Sequence, residues 1–301
     1  MKWFSQIARG ALVVIFSLGL CVPSYAVTVT DSHGQFSINH TPKRVVALEF
    51  SFVDALVSVG VSPVGIADDN DPNRLLPAVR KQLGQWKSVG TRSQPSLEVI
   101  ASLKPDLIIA DADRHSAVFK ELSKIAPTLL LPSRRETYQD NLKSAAIIGK
   151  VIGKDKEMQA RLALHQKRMK GYAKQLVALK GKTIQFGVAR ENGFYAHSSD
   201  SYDGGVIASL GLTSPAGLNN EQASRLISVE QLLGLNPDYL VVGDYVKDNI
   251  TKKWQKQSLW HVLKAVQGHH IYHVDGNMWA RCRGILAAEY MAQDLLKLVK
   301  A

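Results

Sequence analysis

The chain has 301 residues, 46 % of them apolar and 21 % charged, so it can bury the core of two ordinary domains. The formal charge is +11, which points to an anionic partner: nucleic acid, a membrane surface or a small anionic ligand. No run of five basic residues occurs, which excludes a basic tail for nucleic acid, and no nucleic-acid partner is expected.

Residues 1–26 read as a secretory signal peptide. Lys2 and Arg9 form the charged start, and Ala11 to Val22 is an apolar run too short to span a membrane comfortably. Ser24-Tyr25-Ala26 then offers small residues for cleavage after Ala26. Cys21 follows Leu20, where a lipid-attachment motif has a small residue, so a free form is expected and not a lipid-anchored one. Cys282 is then the one thiol left, and it can close no intramolecular disulfide.

Val27–Thr30 and Gln35–Ile38 alternate as a hairpin around Asp31-Ser32-His33-Gly34. Val45-Val46-Ala47-Leu48 is a continuous apolar run, as a strand buried on both faces requires. A helix over Phe52–Val57 ends at Gly60, and Val64–Ala67 is a short strand before the polar loop Asp68-Asp69-Asn70-Asp71-Pro72. Ser96–Leu103 reads as a helix, Leu107–Asp111 and Leu129–Leu131 as strands, and Tyr138–Val151 as a helix. From Lys154 to Leu179, Met158, Leu162, His165, Met169, Tyr172 and Leu176 recur at helical spacing among Lys and Arg. Beyond Gly181 strands and helices alternate again: Thr183–Ala189, Gly204–Leu210, Leu240–Asp244, His269–Val274 and a closing helix Ala287–Val299.

The expected fold is α/β, with two similar lobes whose parallel-sheet cores are flanked by helices and joined by one long α-helix. The divisions are the signal peptide 1–26, an N-terminal lobe 27–150, an inter-lobe helix 151–179 and a C-terminal lobe 180–301. An internal echo supports two lobes. Ser96-Leu97-Glu98 with Leu103-Lys104-Pro105-Asp106 returns in register as Ser228-Val229-Glu230 with Leu235-Asn236-Pro237-Asp238.

Common catalytic signatures are missing: there is no G-x-x-x-x-G-K-[ST], H-E-x-x-H or G-x-S-x-G, and no catalytic residue is assigned. An exported hydrolase or metal-processing enzyme would need such a constellation. His269, His270 and His273 enter a strand whose alternation sends His270 and His273 to opposite faces, so no metal site is expected there.

Ligands of open α/β sheets bind beyond the carboxyl ends of the strands, and here those ends carry arginine. Arg92 follows Val89-Gly90; Arg114 and His115 follow Leu107–Asp111; Arg134 and Arg135 follow Leu129–Leu131. Arg190 follows Thr183–Ala189, Tyr245 follows Leu240–Asp244, and Trp279, Arg281 and Arg283 sit between the last strand and the last helix. One such arginine would read as a surface ion pair of little worth. Several strand ends together describe a cleft lined with fixed bidentate donors for carboxylates. Three or four charge-assisted bonds at roughly 1.5–3 kcal/mol each would cover the approximately 8 kcal/mol of a micromolar site, before ordering costs.

Glu98 and Glu230 stand two residues after Ser96 and Ser228, one short of the capping-box position. The helix dipole favours an acid in a first turn, but does not explain why both lobes present one at the same place.

These stretches, above all Gly65–Asp71, Ser88–Glu98 and Trp279-Ala280-Arg281-Cys282-Arg283-Gly284, resemble the periplasmic ferric-siderophore and cobalamin binding proteins, the class with a single long helix between lobes. The resemblance implies that Glu98 and Glu230 dock into the dimeric permease of an inner-membrane ABC importer. It also implies that Arg92, Arg114, Arg134, Arg190, Arg281 and Arg283 hold a carboxylate siderophore without protein ligands to the metal. The resulting expectation is a monomeric periplasmic receptor for ferric citrate (iron(III) dicitrate), with no cofactor. Another ferric siderophore or haem is the alternative ligand, haem being the one that would ask for an axial Tyr or His.

Overall fold

The computed structural model describes residues 26–217 and 223–300. The signal peptide lies outside the described residues but for Ala26. An N-terminal hairpin of β1 (Val27–Asp31) and β2 (Gly34–Ile38) docks on the first lobe, where Asp31 Oδ2 accepts from the Leu130 N–H at 2.9 Å.

The first lobe is built on β3 (Val45–Ala47), β4 (Gly65–Ile66), β5 (Lys87–Ser88), β6 (Leu107–Asp111) and β7 (Thr128–Leu131). They pair in parallel in the order β5-β4-β3-β6-β7. Alternate residues serve opposite faces. Val45, Ala47, Leu107, Ile109 and Leu129 meet the helices Phe50–Val57 and Tyr138–Val151. Val46, Ile108, Ala110 and Leu130 meet the layer of Ile100 and Leu122. Burial on both faces is why β3 and the bodies of β6 and β7 are continuous apolar runs, with Asp111 and Thr128 at their ends.

The second lobe contains β8 (Ile184–Arg190), β9 (Gly193–His197), β10 (Ser224–Ile227), β11 (Tyr239–Asp244) and β12 (Ile271–Asp275), in the order β10-β9-β8-β11-β12. Here β8, β11 and β12 are parallel, while β9 and β10 form an antiparallel edge. That edge has no counterpart in the sequence reading. Of the two, β10 alone is the rim strand, with Arg225 and Leu226 exposed, and β9 offers only the three-residue apolar run Phe194-Tyr195-Ala196, too short to mark a strand.

The echo has a structural cause. Ser96 and Ser228 cap their helices by accepting from the N–H groups of Val99 and Gln231. Lys104 and Asn236 occupy the same left-handed turn, at φ +46° and +41°. Asp106 and Asp238 then anchor the start of a neighbouring strand: Asp106 accepts from the N–H groups of Lys43 and Arg44, and Asp238 from that of Thr183. In the second copy Gln231 completes a true capping box with Ser228, which leaves Glu230 out of the cap.

The long helix runs Asp155–Gln175, 21 residues or about 32 Å, and gives way to a 3₁₀ turn at Val177–Leu179. It does not join the lobes alone. The closing helix Ile285–Lys300 places Ile285 and Ala287 in the first core and Ala288, Met291, Ala292 and Leu295 in the second. Asp54 accepts from the Leu286 and Ala287 N–H groups at its start, although burial pushes the Asp54 carboxyl up to about 7. Gly284 precedes it at φ +139°, where a Cβ would lie 2.1 Å from Asp54 Cγ. Glu289 ties the long helix to the closing helix through Arg161 (2.9 Å), Arg168 (2.7 Å) and His165 (3.0 Å).

Candidate ligand-binding site

The carboxyl ends of the strands in both lobes open into one cleft of about 820 Å³. Eight arginines line it against the carboxylates of Glu49, Asp69 and Asp203, so the wall carries an excess of positive charge. In the first lobe the order in which the chain adds its parallel strands reverses between β3 and β6, and Glu49 and Arg114 stand at that switch point.

Arg92 follows β5 and is buried. Its guanidinium donates to Asp69 through Nε and at 2.9 Å from the terminal nitrogen, reaches Glu49 at 3.5 Å, and lies 4.1 Å over the Phe50 ring. The sequence names it as a ligand donor; in the fold Asp69 takes two of its guanidinium N–H groups and Glu49 a third. Burial raises the Asp69 carboxyl, but Arg92 and Arg74 outweigh that and hold it at about 2. Asp69 itself sits at φ +61° in the polar loop after β4. It is also approached by Arg281 of the other lobe, at 3.4 Å, which makes it a tie across the cleft.

His115 does not line the cleft, which corrects the sequence expectation. The residue is 0 % exposed, and both ring nitrogens are spent on the backbone. Nδ1 accepts from the Asp111 N–H at 2.8 Å, so Nε2 carries the proton and donates to the Arg92 carbonyl at 2.8 Å. Burial lowers its pKa, in keeping with a neutral ring. His115 therefore positions Arg92.

Arg114 reaches Glu49 at 2.6 Å and keeps about a fifth of its side chain accessible. Arg134 and Arg135 lie further out, both on Asp113, at 3.2 and 3.7 Å. Arg283 lines the cleft but donates to the carbonyls of Ser133 and Arg134, bracing the opposite lobe.

The second lobe supplies an aromatic mount. Tyr245 after β11 stands between Arg190 and Arg281, whose guanidinium carbons lie 5.1 and 4.9 Å from its ring centre. Arg281 Nε also donates to Tyr245 Oη at 3.3 Å. Arg190 is covered on another side by Tyr195 at 5.2 Å. Among the described residues it makes no ion pair, so its charge is free for a ligand. Trp279 backs the floor from beneath: the residue is 1 % exposed and its N–H is given to Asp294 at 2.9 Å, so it offers a ligand no hydrogen bond.

Sequence reasoning missed Glu49, Asp69, Arg74, Tyr195 and the pair His197–Asp203, whose N–O separation is 2.5 Å. Asp69 lies in a polar loop whose composition alone signals no role, and Tyr195 and His197 lie on the short strand β9. Of the histidine trio, His270 stacks on Tyr239 at 4.2 Å and His273 pairs with Asp244 at 2.8 Å, so the rings part company. Among the described residues no group of three His, Cys, Asp or Glu could hold a metal ion. Cys282 is buried, and desolvation pushes its thiol up to about 12. Glu98 and Glu230 stand exposed in the first turns of their helices, one on each lobe, away from the cleft lining.

Two α/β lobes that close one charged cleft between their strand ends define a bilobal substrate-binding protein. The chain belongs to the periplasmic binding protein family, whose model matches residues 45–278. It is 52 % identical to the Fe(3+) dicitrate-binding periplasmic protein FecB of Escherichia coli K12, over 91 % of each chain. It is 42 % identical to the Fe(3+)-citrate-binding protein YfmC of Bacillus subtilis, over 90 % of this chain and 85 % of that one. The crystal structure of Staphylococcus aureus SirA complexed with staphyloferrin B superposes with a TM-score of 0.81 at 25 % identity, covering 91 % of this chain and 98 % of that one.

Proposed function

We propose that this protein is a periplasmic receptor that captures ferric citrate between its lobes and delivers it to an inner-membrane ABC importer for iron uptake. The observation that carries this reading is the cleft itself: arginines from strand ends of both lobes, mounted on aromatic rings or carboxylates, outnumber the acids around them. Relatives whose printed names specify ferric citrate support it. Iron arrives held by citrate, and the protein reads the outer carboxylates through Arg114, Arg134, Arg190 and Arg281. The reading needs no catalytic residue and no cofactor, and the receptor works as a monomer. Glu98 and Glu230 meet the two halves of the permease dimer.

Tryptophan fluorescence titrated with ferric citrate at a controlled iron:citrate ratio tests the ligand. Saturation at micromolar concentration or below is expected, ahead of a catecholate siderophore and haem. A response to haem or the catecholate with none to ferric citrate overturns the assignment.

A further inference from the structure

Arg92 and Arg114 both pair with Glu49, but they are held differently. Arg92 is clamped by Asp69 through its backbone N–H, Nε and a terminal nitrogen, so it cannot turn toward a ligand without breaking that fork. Arg114 has one ionic partner among the described residues, Glu49, and is partly accessible from the cleft. The Arg114 Nε and Glu49 Oε1 atoms lie 2.6 Å apart yet are not aligned as a hydrogen bond, and both are buried without another partner. Glu49 is the N-cap residue of the helix Phe50–Val57, but its side chain caps nothing. A carboxylate of this kind gains from Arg114 mainly by proximity of charge. A ligand carboxylate can do the same while also accepting aligned N–H bonds.

We propose that Glu49 is an exchangeable internal anion: an incoming ligand carboxylate takes Arg114 from it, and Glu49 accepts a proton from solvent as the ligand binds. The inference rests on the anionic-ligand reading above. Its balance is simple, because the ligand brings negative charge into the site and the proton removes one unit that was there. The other charged groups facing Glu49 agree with it. Asp111 beneath and Glu136 nearby both disfavour its ionised form, while Arg92, shared with Asp69, and Arg283, engaged on carbonyls, only partly compensate.

Burial already pushes the Glu49 carboxyl up to about 7 with Arg92 and Arg114 in place. Exchanging Arg114's charge for the ligand's negative charge raises it further. The bound-state value therefore lies above the free-state value. Affinity is lowest above the bound-state value, rises as pH falls toward about 7, and levels off below it, changing by up to about tenfold per pH unit between the two.

Calorimetric titration of ferric citrate into wild type and Glu49→Gln, at about pH 8 in two buffers of different ionisation heat, counts the protons. The ligand's own protonation is common to both proteins and cancels in their difference. Wild type should take up about half to one proton more per ligand than Glu49→Gln, and the variant's affinity should vary less with pH. Equal proton counts with binding intact overturn the proposal. If the variant fails to fold or bind, infrared difference spectra of wild type, saturated with carboxyl-¹³C citrate and iron, decide it. A new protonated-carboxyl band supports the exchange, and its absence refutes it. No binding of ferric citrate by wild type would remove the ligand reading along with this one, a result distinct from binding without proton uptake.

Discussion

Replacing Tyr245 by alanine removes the ring on which two cleft arginines rest. Arg190 and Arg281 approach that ring at 5.1 and 4.9 Å, and Arg190 has only aromatic support among the described residues. Both guanidinium groups are partly solvated, so each cation–π contact contributes about 0.5–1 kcal/mol. Losing both releases the arginines into many rotamers that must be re-ordered when the ligand binds. The expected loss of ligand affinity is about 1–2 kcal/mol, roughly a five- to thirtyfold rise in Kd. Tyr245→Phe keeps the ring and gives up only the 3.3 Å bond from Arg281 Nε, so its Kd should rise by about twofold or less. Ferric citrate titrations followed by intrinsic tryptophan fluorescence, to which Trp279 in the floor of the same cleft contributes, would measure all three proteins. The reasoning fails if alanine binds within about twofold of wild type, or if phenylalanine is as damaging as alanine.

Two further outcomes test the rest of the molecule. Glu98→Ala combined with Glu230→Ala should abolish iron uptake in cells while leaving Kd and the thermal midpoint unchanged, since neither acid lines the cleft and Glu230 lies outside its capping box; a double variant that unfolds or stops binding ligand contradicts the docking role. Glu289 is 5 % exposed, and despite burial, His165, Arg161 and Arg168 depress its carboxyl to about 2 from 4.5. A depressed acid contributes stability above its unfolded value that disappears as pH falls through its folded one. About 3 kcal/mol should therefore be lost between about pH 5 and pH 2, and Glu289→Gln should flatten that part of the profile in urea melts. The same variant strands two arginines beside a buried position, so at neutral pH it should cost about 3–5 kcal/mol.

Most of the architecture was legible without coordinates. The runs at Val45–Leu48 and Leu107–Asp111, and the helix over Tyr138–Val151, follow from side-chain period, which is a local property of the backbone. The repeated Ser-x-Glu and Leu-x-Pro-Asp segments were visible as a repeat, and the structure adds why each letter is there: a cap, a left-handed turn residue, an anchoring carboxylate. The antiparallel edge of β9 and β10 escaped because β9 carries only three apolar residues in a row and the rim strand β10 only two.

The sequence by itself determined that two α/β lobes exist, that arginines fall at their strand ends, and that each lobe displays an exposed glutamate. Only the tertiary structure decided which arginines are free. Arg92 and His115 were plausible ligand contacts by position, yet one is clamped by Asp69 and the other spent on backbone groups. Arg281 and Asp69 meet although 212 residues separate them, and Glu49 is a cleft acid because β3 and β6 are neighbours in the sheet. Whether a charge is available depends on burial and on partners remote in the chain. Periodicity and spacing report only on neighbours along it.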